Sequence, residues 1–255
     1  MKVIPTIEEL IEGAVLCIDK PEGWTSFDAV NKLKYRLPRK IKIGHTGTLD
    51  PFATGLIIIC TGKKTKAINE LQDGMKKYVA SMIIGASTPT YDCTSDIENE
   101  MPIESITDEQ IINSSKKFHG QIDQTIPAFS AIKIDGQRAY KLARKGQEFE
   151  LKTRPVYIQD FEINHINRIM DIVPKPDQQL PKSYIEVSFT VTCGKGTYIR
   201  SIAYDWGRAL GNNAFLQDLR RVENAGFNVE NAWNLQALAD YFESINARDH
   251  SLKKA

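Results

Sequence analysis

No stretch of this chain comes near the roughly 18 consecutive apolar residues that a membrane-spanning helix needs. Its opening residues, MKVIPTIEELIEG, are acidic where an export leader is basic and then apolar. A membrane span and a secretory route are therefore not expected; a cytoplasmic location is. Cysteine is scarce, with 4 in 255 residues (Cys17, Cys60, Cys93 and Cys193) and no CxxC pair, so buried thiols are expected rather than a disulfide framework. His45, His119, His165 and His250 show neither HxxxH nor HExxH spacing, which leaves no ligand pattern for zinc or another transition metal, and no metal is expected. Net charge is nearly absent too, at +1, a total that argues against a uniformly basic nucleic-acid binder. A phosphate loop is also missing. Thr61-Gly62-Lys63-Lys64-Thr65 has the Gly-Lys pair, but a Walker motif requires a glycine five residues earlier and that position is Ile57.

With 42% hydrophobic residues over 255 positions, the chain can bury a substantial core and reads as one large domain, with or without a small appendage. Its charge is segregated. Residues 32–42 hold six basic side chains and no acid, and residues 92–109 hold seven acids and no base. Such a split predicts a basic face for an anionic partner and an acidic surface segment turned away from it, although two solvated charge runs would give the same counts.

Residues 43–60 read IGHTGTLDPFATGLIIIC. Gly44, Gly47 and Gly55 bracket a loop, and Asp50 precedes Pro51, which pushes the Asp50 backbone out of the helical region. An Asp-Pro pair on its own is more often a turn former than a catalyst, since Asp bonds its own backbone. The unbroken apolar run at residues 56–60 then predicts a strand buried on both faces, which pins the loop to the core. The stretch GHTGTLDPFATGL is similar to the active-site motif of the TruB family, the tRNA pseudouridine-55 synthases. The match covers about a dozen consecutive positions with unusual glycine and proline placement. The resemblance implies that the Asp of the motif, here Asp50, is the essential catalytic residue.

Thr6 and Glu9 form a capping box for a short helix closed by Gly13, and residues 14–18 read as a buried strand that delivers the loop DKPEGWTSFDAV. There Lys20-Pro21-Glu22-Gly23 is turn chemistry, and Thr25 or Ser26 caps a basic helix. This loop resembles the first TruB motif, with Lys20 and Pro21 in matching places. Lys20 is grouped with the substrate contacts, although the resemblance implies a part more structural than chemical. Residues 64–71 are expected as a helix ended by Gly74 and residues 77–84 as a strand, in which Tyr78 matches the family's Tyr that packs against the target base. Thr107 and Gln110 box a helix expected to run to His119. The segment 126–155, IPAFSAIKIDGQRAYKLARKGQEFELKTRP, is basic and interleaved with aromatics. In a nucleic-acid surface of this kind Lys133, Arg138, Lys141, Arg144 and Lys145 meet phosphates, while Phe129 and Tyr140 pack on sugars or bases. It is also similar to the family segment that grips the T arm, with Ala128 where many members have a second proline.

Residues 184–193 alternate cleanly between apolar and polar, the pattern of a half-exposed strand. After Gly194-Lys195-Gly196, Thr197 is expected to cap a helix with Ile199, Ile202, Ala203, Trp206 and Leu210 on one side, stopped by Gly211. CGKGTYIRSIAYDWGRALG resembles a third family motif and places Tyr198 and Arg200 at the first turn. Leu219-Arg220-Arg221 matches a family stretch whose leucine lines the base pocket.

The resemblance implies an α/β (α+β) pseudouridine synthase fold, a mixed and largely antiparallel sheet flanked by helices. Residues 1–226 are expected as the catalytic domain, with 126–155 as an RNA-gripping insertion. Residues 227–255 are expected as a short helical extension bearing Leu235, Leu238, Tyr241, Phe242 and Ile245, with a polar tail, and are too few for the PUA domain that many members carry. The implied reaction converts uridine to pseudouridine at position 55 in the T loop of tRNA. Asp50 would attack C1′, take the C2′ proton or add to uracil C6, all of them within carboxylate chemistry. Arg200 would pair with Asp50, keep it charged and orient it. Tyr198 would move the C5 proton, Tyr78 and Leu219 would hold the uracil, and His45 would fill the space left by the flipped base. No cofactor is needed, the partner is the T arm of tRNA, no obligatory protein partner is implied, and a monomer is expected. The alternatives are an RNA-binding folding helper that uses the same basic face and a synthase acting on another RNA.

Overall fold

A computed structural model describes residues 4–37, 41–134, 136–147, 149–173 and 180–252, with side chains through Ile245. Arg39 and Lys40 of the basic run lie outside the described residues. The chain divides into two compact units, Met1–Tyr78 with Arg220–Ala255, and Val79–Leu219.

The first unit opens with helix α1 (Ile7–Glu12), whose Thr6/Glu9 capping box is bonded in both directions and which ends at Gly13. Strand β1 (Val15–Lys20) leads to α2 (Ser26–Lys34), capped by Thr25 with Asp28 closing the box. Strands β2 (Ile43–Thr46) and β3 (Thr54–Thr61) flank the turn that carries Asp50. The apolar run makes β3 a strand buried almost throughout. β1 pairs antiparallel along one edge of it, and β2 pairs antiparallel with its later half. Ile57 and Ile59 pack into a core with Leu10, Leu16, Ile18, Leu33, Leu238 and Phe242. Beyond β3 the helix expected over residues 64–71 forms only in part: Gly62–Ala67 is 3₁₀ and α3 covers Ile68–Asp73. Gly62 has φ 49 and is pressed so close to α1 that a Cβ there would lie 2.3 Å from the Ile11 carbonyl oxygen. The chain takes the tighter coil at that contact. Strand β4 (Lys76–Ile84) carries it onward into the second unit.

The second unit holds α4 (Asp108–Ser115), β5 (Gly120–Thr125), β6 (Lys133–Ile134), β7 (Gln137–Arg138), α5 (Ala139–Ala143), β8 (Thr153–Ile169), β9 (Tyr184–Cys193) and α6 (Ile199–Ala209). β5, β8 and β9 pair antiparallel in that order. β9 spans the ten residues whose alternation predicts it. Ile185, Val187, Phe189 and Val191 turn inward, and Tyr184 is buried as well. The rings of Phe161, Phe189 and Trp206 meet at centroid separations of 5.2, 5.2 and 5.7 Å, and the Trp206 indole N–H donates to Ser114 Oγ at 2.8 Å.

Two expectations are corrected here. α4 stops at Ser115 and not at His119, because Phe118 turns in against Phe161 and Trp206, and His119 is exposed ahead of β5. Thr197 does not cap α6: its hydroxyl donates to the Gly194 carbonyl at 3.1 Å, and the N-cap position is Tyr198. The acidic segment 92–109 is irregular as expected, yet Asp92, Ile103 and Ile106 within it are buried.

Strand β10 (Ala214–Asn224) returns the chain to the first unit and pairs parallel with β3, Arg221 opposite Gly55. Gly55 has φ 102, and a Cβ on it would lie 2.3 Å from the Arg221 carbonyl oxygen, an approach open only to glycine. β11 (Phe227–Asn228) pairs with β10, and β12 (Trp233–Asn234) runs parallel to β1. α7 (Leu235–Leu252) lays Leu235, Leu238 and Phe242 into the core of the first unit. Its backbone continues through the first residues of the segment read as a polar tail. The fold is thus α/β, with helices flanking a mixed sheet in which antiparallel pairs predominate. Among the described residues no helix is long and apolar enough to cross a membrane.

Candidate active site

Asp50 lies half-buried on the turn between β2 and β3, where Gly47 has φ 70 and Asp50 itself accepts from the Ala53 N–H at 3.2 Å. Three buried side chains of the first unit hold this turn. Ser26, the first residue of α2, accepts from the Leu49 N–H at 2.8 Å and donates to the Leu49 carbonyl at 3.3 Å. Lys20 donates to the carbonyls of Pro21, Trp24 and Pro51 at 2.9, 2.7 and 3.2 Å. Arg221 donates through Nε to the Leu56 carbonyl at 2.7 Å and through Nη2 to that of Gly47 at 3.4 Å. Leu49, Phe52 and Ala53 are buried around Asp50, so its carboxylate is offered from a turn anchored on both sides. Such anchoring restricts the positions a reacting group can take.

Lys20, grouped by the sequence with the substrate contacts, thus has its ammonium donors on the chain's own carbonyls and is 0% exposed. Burial pulls its pKa down to about 8; the Asp50 and Glu22 carboxylates oppose that shift, and the Arg221 charge adds to it. His45, read as a loop residue, is half-buried on β2 opposite Ile59. Its Nδ1 is buried. Burial lowers its pKa, a backbone hydrogen bond with Gly47 opposes that shift, and the Arg221 charge adds to it; the net lowering favours the neutral imidazole. Tyr78, in β4, is buried. Arg220 holds Asp19 through both guanidinium nitrogens at 3.1 and 2.7 Å and reaches Thr54 Oγ1 at 3.3 Å.

In the second unit Arg200 lies in the first turn of α6 and is 3% exposed. A guanidinium placed there is disfavoured by the helix dipole and calls for acceptors. It donates to the carbonyls of Thr90 at 2.9 Å and Phe129 at 3.1 Å, and its Nη1 stands 3.4 Å from Asp92 Oδ2. Asp92 is 4% exposed and also accepts from Thr90 Oγ1 at 2.6 Å and the Thr94 N–H at 3.0 Å. The Tyr198 N–H donates to Gln124 Oε1 at 2.8 Å, and Gln124 Nε2 returns a bond to the Tyr198 carbonyl at 3.0 Å. The Tyr198 ring lies 5.0 Å from the Arg154 guanidinium and 6.0 Å from that of Arg200. Tyr198 and Arg200 are therefore brought together, and Leu219 is buried at the end of this unit. Sequence reading missed two members of the cluster. Asp92 was one acid among seven, and Gln124 carried no motif signal.

The segment 126–155 forms the β6–β7 hairpin and the single turn of α5. Lys133, Arg138, Lys141 and Arg144 are all exposed; Arg138 bonds the Ala131 carbonyl and Arg144 lies 5.7 Å from the Tyr140 ring. Farther along α6, burial pushes the Asp205 carboxyl up to about 6. The adjacent Tyr204 ring stacks on Tyr91 at 3.9 Å, and burial, helped by Tyr204 and Asp205, pushes the Tyr91 phenol to about 12. Among the described residues no three His, Cys, Asp or Glu side chains gather as metal ligands.

The family model described as TruB family pseudouridylate synthase (N terminal domain) matches residues 33–199. The chain is 48% identical to tRNA pseudouridine synthase B of Flavobacterium johnsoniae over 233 residues, covering 89% of this chain and 95% of that relative. To the protein of the same name in Bacteroides fragilis the identity is 44% over 237 residues, 91% of this chain and 95% of the relative. Among solved structures, a chain of a Cbf5-Nop10-Gar1 complex matches at TM-score 0.63 and 28% identity, over 93% of this chain and 57% of that one. A chain of an H/ACA RNP bound to a substrate RNA containing 2′-deoxyuridine matches at TM-score 0.62 and 26% identity, over 93% and 56%. This chain thus spans little more than half the length of those solved chains.

Proposed function

Since the chain belongs to the TruB family and is a tRNA pseudouridine synthase, we propose that its target is the uridine at position 55 of the T loop and that Asp50 is the catalytic carboxylate. The observation that carries this reading is the Asp50 turn, anchored by buried Lys20, Ser26 and Arg221 while Asp50 itself stays half-buried. Its partner is the T arm, which the exposed cations of residues 126–155 meet at phosphates, and the enzyme works in the cytoplasm as a monomer.

The reaction breaks the N1–C1′ bond, turns the uracil and joins C5 to C1′; the C5 proton leaves and N1 gains one, so the change is redox-neutral and needs no cofactor. The base must first leave its stack, at a few kcal/mol. Asp50 then acts at C1′, at the C2′ proton or at C6. Each route requires a carboxylate that is ionised and fixed, and we assign Arg200 to that pairing, with Asp92 orienting the guanidinium. Tyr198, held at its backbone by Gln124, takes the C5 proton in this scheme. Tyr78 and Leu219 flank the uracil, and a neutral His45 can fill an apolar gap left by a flipped base.

The test is tritium release from a T-arm hairpin carrying 5-tritiated uridine, because C5 loses its hydrogen only if it becomes the attachment point. The native chain should release tritium, and Asp50→Asn should bind the hairpin and release none. Release by the variant at the native rate would remove Asp50 from the mechanism. Binding without release by the native chain would favour an RNA-binding protein or another substrate.

A further inference from the structure

We infer that the outward face of α2 is a second RNA-docking strip, which takes the ribose-phosphate strand flanking the reacting nucleotide; this rests on the reading of the chain as an enzyme acting on the T arm. The helix buries Ser26, Ala29, Val30 and Leu33. At 3.6 residues per turn, Phe27, Asn31, Lys34 and Tyr35 fall together on the opposite side. Two large aromatic rings on that side stand in water: Phe27 is 64% exposed and Tyr35 82%. A large aromatic side chain left in water forgoes the burial that makes such residues dominate cores and interfaces.

The charge around these rings identifies the occupant. Lys34 is exposed between them and meets no carboxylate among the described residues. Lys32, farther round, stands 5.6 Å from the Trp24 ring. The single acid of the helix, Asp28, is occupied by the cap, accepting from the Thr25 N–H at 3.0 Å and Thr25 Oγ1 at 2.6 Å. Aromatic faces with an uncommitted ammonium suit single-stranded RNA, whose bases and riboses stack on rings while its phosphates take cations. An apolar protein surface would leave the ammonium without a counter-charge.

The helix that carries these rings also anchors the Asp50 turn. Ser26, which holds Leu49 one residue before Asp50, immediately precedes Phe27. The strip begins one residue after this anchor, on the opposite side of the helix, and runs about 12 Å along it to Tyr35 at 1.5 Å per residue.

The test uses the full-length chain and a fluorescent T-arm hairpin, read by anisotropy across a salt series. Phe27→Ser with Tyr35→Ser should weaken binding by about tenfold or more, the effect of losing a stacked base. Lys34→Gln should make the salt slope shallower by about 0.7 to 1. Both sites are exposed, so melting temperatures should match the native protein. Ile112→Ser, an exposed apolar site on α4, should leave binding and slope as they are. Native affinity and slope in the helix variants, with tritium release by the native chain intact, would overturn this inference alone. Native RNA affinity together with loss of self-association or of a protein partner would likewise overturn it and make the face a protein surface. No tritium release by the native chain would remove the reading beneath it.

Discussion

Lys20→Met keeps the length of the side chain and removes the ammonium that anchors the Asp50 turn. Two effects then oppose each other. Burial has brought the Lys20 pKa from its ordinary 10.5 to about 8, which amounts to a charging penalty of a few kcal/mol in the folded protein at pH 7. Methionine does not carry that penalty. Against this relief, the carbonyls of Pro21 and Trp24 lose a donor, at about 1–3 kcal/mol for each group left unsatisfied. Pro51 keeps the Gly23 N–H at 2.9 Å. Gain and loss are of similar size, so urea unfolding of the variant should give a free energy within about 2 kcal/mol of the native value. Catalysis should respond differently, because the lost contact at Pro51 adjoins the carboxylate we propose to react, and a misplacement of about 1 Å costs on the order of a hundredfold. Single-turnover tritium release at saturating hairpin should therefore fall by about ten- to a hundredfold in a protein that remains folded.

The pH dependence carries a second signature with a definite sign. The unfolded chain keeps the Lys20 proton up to about 10.5 and the folded chain only to about 8. Between those values the unfolded state binds more protons, so this group makes native stability rise with pH; the methionine variant should lack that rise. Over the same window the native rate should decline, since a neutral amine has two N–H groups for three carbonyls. A methionine variant with the full native rate would refute the anchoring role. So would a rate lost only in step with unfolding.

Two further outcomes follow from the second unit. Asp92→Ala removes a buried carboxylate beside Arg200 together with the bonds from Thr90 and Thr94, and should lower the unfolding free energy by about 3 kcal/mol or more; an unchanged urea midpoint would contradict that pairing. Asp205, raised from 3.8 to about 6 by burial, stabilises the fold below pH 3.8 and loses that contribution as pH rises through 6. Asp205→Asn should therefore be more stable than the native chain above pH 7, by about 1–2 kcal/mol after discounting for solvent, and gain nothing near pH 4. The same difference in thermal melts at pH 4 and pH 7.5 would argue against it.

Much of this fold was legible from spacing. The Thr6/Glu9 and Thr107/Gln110 boxes and the Thr25 cap form as read because each closes over three residues. The ten residues of β9 follow from period-two alternation, and the buried β3 from an unbroken apolar run. The Asp50 turn follows from its glycines and proline, and its family motif from a dozen consecutive residues. Readings failed where a distant partner decided the outcome. Phe118 left the helix for Phe161 and Trp206; Gly62 met α1 and tightened into a 3₁₀ coil; Tyr198 took the N-cap position of α6, its N–H donating to Gln124, 74 residues away.

The amino-acid sequence by itself determined the elements, the turn and the family, because capping, alternation and turn chemistry act between neighbours whose separation is fixed by the chain. Tertiary structure alone decided that Lys20 is a buried brace, that Asp92 and not another of the seven acids stands beside Arg200, and that Phe27 and Tyr35 remain in solvent. Each depends on which surfaces meet when a long loop closes and a whole core packs, and no local spacing carries that information.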